Sequence, residues 1–488
     1  MKHLSMHVVG VSILLVSSPG QAGTCRTDDP RLDDRMTVRL LPGIEVESFA
    51  AAFESDFPEV GVTPLDSIPG RDIWLLGLQL PRSLPGDLLD EMEDALESNY
   101  EAYLEWGDFL YTNAAPEGTT GSTLVDHPAN ASLFVNQYAK TRTGADDAHN
   151  RSLGTGVVVA VLDTGIDANH PQLAGQILPG IDFVDGDTDP ADLGDGVDTD
   201  GDGLTDEMTG HGTFVAGLVL LIAPAAKILP VRVLDGDGNG DLWLLAKGMF
   251  YAIDRGVEVI NISISSTYKG EATQDAVLEA ANLGIIVVAA AGNCNTDDPP
   301  EYPAMRDHFL AVGASDDGDL KGGFSNYGQD MSLMAPGVSA LIGSEPDPAR
   351  SIISLLPAGG YAYWEGTSMA TPVVAGAAAL IRAQHPEWPA DETTRAMIEA
   401  ALESTAVDID ALNPPYAGLL GAGRIDIAAA AALGPPEPAV GDLNNDEAVD
   451  VLDLVILLLA WGQTHSSADL NGDGIVNVLD LVILMLAL

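Results

Sequence analysis

Residues 156–165 read GVVVAVLDTG: an unbroken aliphatic run from Val157 to Leu162 that ends directly on Asp163 and a Thr-Gly pair. Apolar residues at every position, not every second one, predict a strand buried on both faces, as in a parallel sheet covered by helices. AKILPVRVL (226–234), VEVINISIS (257–265), GIIVVAAAGN (284–293) and FLAVGAS (309–315) have the same texture, separated by Ala/Leu-rich helical intervals. The expected fold is therefore α/β. Ligands of such sheets gather at the carboxyl ends of the strands, which is where Asp163 and Asn293 fall.

A second stretch, WEGTSMATPVVAGAAAL (364–380), predicts a helix buried on all sides, because small and aliphatic residues fill Met369–Leu380. Ser368 stands where an N-cap would, and Pro372 falls in the first turn. Ser368 is thus either a cap or a nucleophile at the positive end of the helix dipole. Acyl transfer needs a hydroxyl, a base, a carboxylate to orient the base and donors for the oxyanion. Ser368, His211, Asp163 and Asn293 are the candidates, each in a small-residue frame: GTSMA, GHGTFVAG, LDTG and AAAGN. Glycine and alanine let backbone and substrate come close to these side chains. An esterase of the α/β-hydrolase kind would need its acid and base after the serine; the later histidines, His385 and His465, do not supply that order.

The order Asp, His, Asn, Ser and the segments around each resemble the subtilisin-like serine proteases (family S8), over roughly residues 135–432. The resemblance implies a subtilisin-like parallel-sheet domain hydrolysing peptide bonds. In it Ser368 attacks the carbonyl, His211 moves the proton, Asp163 orients the imidazole and Asn293 donates to the oxyanion. It further implies that Gly238 and the strand Ser263, Ile264, Ser265 pair with extended protein or peptide substrates, and that Ala289, Ala290 and Gly292 wall the pocket for the residue before the cut. Two departures stand out: Gln172 occupies a position where many members carry a calcium-binding aspartate, and Ser265 and Ser266 replace common glycines.

Upstream, residues 36–113 alternate strand-like and helix-like patches and predict a small α+β unit of βαββαβ order. By the same resemblance, 25–115 is an inhibitory propeptide whose tail enters the active site; the residues alone leave an ordinary N-terminal domain open. NAAPEGTTGSTLVDHPANAS (113–132) reads as an exposed, cleavable link. Residues 1–22, with Lys2, the apolar run 8–16 and small residues near Ala22, read as a signal peptide and imply a secreted protein. Two cysteines, Cys25 and Cys294, make no disulfide framework.

After a proline-rich linker (434–441), DLNNDEAVDVLDLVIL (442–457) recurs as DLNGDGIVNVLDLVIL (469–484). Oxygen side chains fall at positions 1, 3, 5, 9 and 12 of each copy: Asp442, Asn444, Asp446, Asp450, Asp453 and Asp469, Asn471, Asp473, Asn477, Asp480. That spacing suits Ca2+. Residues 442–488 resemble a type I dockerin, which implies a cohesin partner met by Val451, Leu452, Val478 and Leu479, and attachment to a cell surface. Asp198, Asp200, Asp202 and Asp206 have related spacing but Thr209 at position 12, and read equally as a calcium loop or a solvated acidic insertion. With 73 Asp+Glu against 21 Lys+Arg, a net charge of −52 argues against nucleic acid and anionic membranes as partners.

Overall fold

The computed structural model describes residues 31–83, 87–117, 129–297, 302, 304, 308–343, 345–433, 451–463, 468, 470, 471 and 474–487. The signal peptide, Cys25, the linker and the ligand candidates Asp442, Asn444, Asp446, Asp450, Asp469 and Asp473 lie outside them. The chain divides into two compact units, 1–431 and 432–488.

The first unit opens with β1 (Arg31–Leu40), α1 (Val46–Asp56), β2 (Gly61–Ile68), β3 (Ile73–Gln79), α2 (Leu88–Ser98) and β4 (Leu104–Ala114), the βαββαβ order expected. Its strands form an antiparallel sheet in the order β2-β3-β1-β4, with helices closing one face over Phe49, Phe53, Met92 and Leu96. A fifth strand, β8 (Asn239–Asp241), joins beside β4 in the register Thr112↔Asp241, Asn113↔Gly240, Ala114↔Asn239. That strand comes from the domain downstream.

The downstream domain is built on a seven-stranded sheet in the order β12-β11-β10-β9-β5-β7-β6. These strands are β5 (Val158–Asp163), β6 (Ile181–Asp182), β7 (Lys227–Arg232), β9 (Val259–Ile262), β10 (Ile286–Ala290), β11 (Phe309–Ser315) and β12 (Leu333–Pro336), and every pairing among them is parallel. All five predicted strands are among them. β6 and β12, only two and four residues long, carry too little apolar sequence to be read alone. Helices α3 (His211–Ile222), α4 (Leu242–Asp254), α5 (Glu271–Asn282) and α6 (Thr367–Gln384) cover the sheet. α3 is buried along its whole length and α6 from Thr367 to Ile381, so both sit between the sheet and other elements, as their lack of a polar face requires.

The second unit contains α7 (Val451–Leu459) and α8 (Val478–Ala487). Leu457, Ala460, Ala468, Val476 and Leu484 form its own small core. Among the described residues no helix is long and apolar enough to cross a membrane.

Candidate active site

Asp163 is the last residue of β5 and His211 the first of α3. The glycines of the GHG frame allow their approach: a Cβ on Gly212 would lie 2.1 Å from Gly165 O, so only glycine lets the helix start this close to the turn after β5. His211 Nδ1 lies 2.7 Å from Asp163 Oδ1, which also accepts from Thr164 N at 2.8 Å. Both side chains are buried, and the Trp364 ring meets the imidazole edge-on at 5.3 Å.

Ser368 is the second residue of α6, and the N-cap is Gly366. Of the two roles the sequence left for Ser368, the cap is therefore taken by Gly366, and the Ser368 hydroxyl is spared from capping. Thr367, the first helical residue, donates from N (2.9 Å) and Oγ1 (3.0 Å) to Asn293 Oδ1. With its carbonyl so engaged, the Asn293 amide turns Nδ2 toward Ser368.

Those donors converge on one carboxylate. Glu117 Oε1 accepts from Asn293 Nδ2 at 2.9 Å and Ser368 N at 3.3 Å, while Oε2 accepts from Ser368 Oγ at 2.6 Å and lies 3.2 Å from His211 Nε2. A Cβ on Gly366 would come within 1.8 Å of Glu117 Oε1, so this glycine leaves the room the carboxylate uses. Burial alone would lower the His211 pKa, but the Asp163 and Glu117 carboxylates outweigh it and push it up to about 10. The imidazole is held as imidazolium between two anions.

A third carboxylate stands behind the pair. Asp192 Oδ1 accepts from Thr164 Oγ1 (3.0 Å) and Gly210 N (2.9 Å), and Oδ2 from Thr213 N (3.0 Å) and Thr213 Oγ1 (2.6 Å). It ties the N-terminus of α3 to the turn that follows Asp163, and burial raises its own pKa. Asp192 and Glu117 escaped the sequence reading because neither lies in a recognisable frame, and the expected propeptide boundary at 115 stops two residues short of Glu117.

The segment leading to Glu117 lies extended across the candidate substrate strand. Ala114 and Ser265 exchange backbone hydrogen bonds (3.1 and 2.9 Å), and Ala115 N donates to Gly238 O at 2.9 Å. Ser263 O lies 3.4 Å from Ser368 Oγ, and Ser263 Oγ donates to Ser368 O at 3.1 Å. Ile264 is buried. Ala289 and Ala290 are buried in β10, and Gly292 N donates to Thr367 Oγ1 at 3.2 Å.

A sequence profile of the subtilase family matches residues 154–432. The chain belongs to the subtilase family. Thermitase of Thermoactinomyces vulgaris is 38% identical over 281 residues, which span 58% of this chain and 92% of that protein. Subtilisin BL of Lederbergia lenta is 37% identical over 292 residues, spanning 58% and 95%. Among solved structures, a lanthipeptide protease superposes with a TM-score of 0.53 at 26% identity, covering 62% of this chain and 95% of that one. This subtilase is a serine-type endopeptidase. Residues 440–488 match the type I dockerin domain, so the subtilase carries a dockerin as its tail.

In that tail Asp453 and Asp480 are fully buried. Asp480 Oδ1 accepts from Asn471 N at 3.0 Å and Oδ2 from Asn477 N at 2.7 Å, so the carboxylate at position 12 points into its own loop. Two buried acids in the first turns of apolar helices, one of them closing onto Asn471 and Asn477, fit a hard cation. Nearer His211, the carboxylates of Asp198, Asp200 and Asp202 come within 4.8 Å of one another on the surface. Asp206 instead accepts from the backbone of Asp195 (2.8 Å) and Gly196 (2.9 Å).

Proposed function

We propose that this subtilase hydrolyses peptide bonds with Ser368 as nucleophile, His211 as base and then acid, and Asp163 as the carboxylate that orients His211. The observation that carries this reading is the seat of Glu117 Oε1 between Asn293 Nδ2 and Ser368 N. It is the place where the oxyanion of a tetrahedral intermediate would sit. With that seat free, Ser368 adds to the substrate carbonyl as its proton passes to His211 Nε2. The negative charge on the carbonyl oxygen is met by the Asn293 and Ser368 donors. The same proton then goes to the leaving amine, and water repeats the sequence on the acyl-enzyme. Gly238 and Ser265 pair with the substrate backbone in the way they pair with Ala115 and Ala114.

Residues 31–117 act in this reading as an inhibitory propeptide, supported by the β4–β8 pairing and by Glu117 lying across Ser368 and His211. Residues 1–22 serve as the secretion signal. The dockerin loops hold Ca2+ through Asp442, Asn444, Asp446, Asp450, Asp453 and through Asp469, Asn471, Asp473, Asn477, Asp480. Calcium there fixes the loops so that exposed Leu452, Val478 and Leu479 meet a cohesin-type partner, attaching the protease outside the cell. Asp198, Asp200 and Asp202 form a further calcium loop in this reading, closed by groups other than Asp206.

The test is casein hydrolysis by the purified full chain in calcium, run beside Ser368→Ala, with mass spectrometry of the N-terminus. Hydrolysis and a new N-terminus beyond residue 117 in the wild type alone support the reading. Two inert, full-length proteins with calcium-loaded tails overturn it.

A further inference from the structure

We propose that Lys321 is a positioning residue for the oxyanion-binding loop, its ammonium acting as a tethered cation at a cluster of backbone and amide oxygens. The proposal rests on the role given above to Asn293.

Residues 291–296 leave the end of β10 and carry Gly292 and Asn293. One neighbouring strap, 321–327, holds much of the rest of this loop, beyond Gly292 N and the Asn293 side chain, which go to Thr367 and Glu117. Asn326 Oδ1 accepts from Cys294 N (2.8 Å) and Thr296 N (3.2 Å), its Nδ2 donates to Ala291 O (2.8 Å), and its backbone N donates to Gly292 O (3.0 Å). Asn295 N donates to Phe324 O at 2.6 Å, and Asn295 itself sits at φ +48°, the left-handed region that asparagine tolerates best after glycine.

Lys321 closes this arrangement from beneath. Its Nζ donates to Asn295 Oδ1 (2.8 Å) on the loop and to Gly322 O (2.8 Å) and Ser325 O (2.6 Å) on the strap. The rings of Tyr416 (4.6 Å) and Tyr327 (5.3 Å) cover it. The residue is only 8% exposed, and among the described residues no carboxylate lies within ion-pair distance of it; Asp319, two positions upstream, is taken by Arg142 and Arg424.

An ammonium buried without a counter-ion costs stability that an apolar side chain of similar length would not. What it supplies in return is three donors that bind three mutually repelling oxygens, one of them two residues from Asn293. The Asn293 amide is therefore anchored on both sides: Thr367 holds its carbonyl, and Lys321 holds the turn behind it. Tyr327 and Tyr416 are the only titratable side chains in the described contacts of the ammonium. Burial lowers the Lys321 pKa to about 8, so the tether is charged at neutral pH and lost above it.

The experiment uses the matured full chain with active molecules counted by a fluorophosphonate titrant. Lys321→Met is expected to lower kcat about tenfold or more with KM within twofold, since an oxyanion donor acts in the transition state. Ammonium or potassium is expected to restore kcat saturably in Lys321→Ala, whereas tetramethylammonium, too large for the site, is not. The wild-type kcat falls as pH rises through about 8, and that limb is missing from Lys321→Met. Unchanged kcat in Lys321→Met, with only a lower Tm, overturns the proposal. If the lysine variants do not mature, Asn295→Gly, which keeps the positive φ but removes the acceptor, is expected to show the same kcat-selective loss, and unchanged kcat there overturns the proposal. Asn293→Ala separates the two readings: if it leaves kcat intact, the oxyanion role itself is wrong; if it lowers kcat while Lys321→Met does not, only the tether is wrong.

Discussion

Glu117 Oε2 lies 2.6 Å from Ser368 Oγ, so the hydroxyl assigned to nucleophilic attack donates its hydrogen bond to a carboxylate of the same chain. The same oxygen is 3.2 Å from His211 Nε2, so the contact that would draw the serine proton toward the base is occupied from both ends. In the proposed reading, a carboxylate made of covalently fixed side-chain atoms fills the seat of the transient oxyanion.

Replacing that anion should release the enzyme. Hydrogen bonds to a charged group contribute about 1.5–3 kcal/mol each. Glu117→Gln is therefore expected to speed self-processing of the full chain roughly tenfold, and Glu117→Ala more, read by the appearance of the shortened protein on gels. Slower processing in both variants would mean that Glu117 presents the chain for cutting instead of blocking it.

The pairing should also respond to pH. Docking of Glu117 helps hold the His211 pKa up to about 10, so the docked state binds a proton that the undocked state releases more readily. That stabilisation is complete below the undocked pKa and is lost as pH rises through about 10. Processing of the wild type, divided by the kcat of the matured enzyme at the same pH, should accelerate between pH 7 and 9.5, by up to about tenfold per unit in between. Glu117→Gln should show a flatter profile, and identical profiles would refute the coupling.

Asp192 gives a stability prediction. Its removal strands buried donors on Thr164, Gly210 and Thr213, at about 1–3 kcal/mol for each group left unpaired. Asp192→Ala should lower the Tm by several degrees and reduce kcat, because α3 and β5 lose their cross-link. Asp192→Asn, able to accept but not with both atoms, should fall between. Calorimetry and initial rates on the same samples decide it.

The tail should depend on calcium. Asp480→Ala removes a buried carboxylate facing its loop and is expected to abolish one of the tail's two calcium equivalents by titration calorimetry. Casein hydrolysis should be unaffected by the same change. Retention of both equivalents would place the ions elsewhere.

Much of this was legible because frames of small residues mark places where another group comes up against the backbone. Gly212 against Gly165 O and Gly366 against Glu117 are such places, and both flank predicted site residues. The strands were legible because burial on both faces leaves no polar alternation to confuse the reading. What escaped was contact between distant segments. Nothing in ADLGDGVDTD (191–200) marks Asp192 as different from its neighbours, since its role comes from meeting Thr164 and Thr213 in space. Lys321 looks like any surface lysine until the rings of Tyr327 and Tyr416 close over it.

The strand β8 has two claimants. Its edge completes the sheet of the N-terminal unit through Thr112–Ala114, and in the proposed reading the adjoining Gly238, which accepts from Ala115 N, also pairs with substrate. While the chain is intact, the first claimant is tethered beside its site at an effective concentration in the millimolar range, which few substrates could match. Once the link is cut, that advantage vanishes and the two compete as free solutes. In the proposed reading dilution then becomes the activating signal: the protease would stay quiet where it is crowded and wake where it is spread thin.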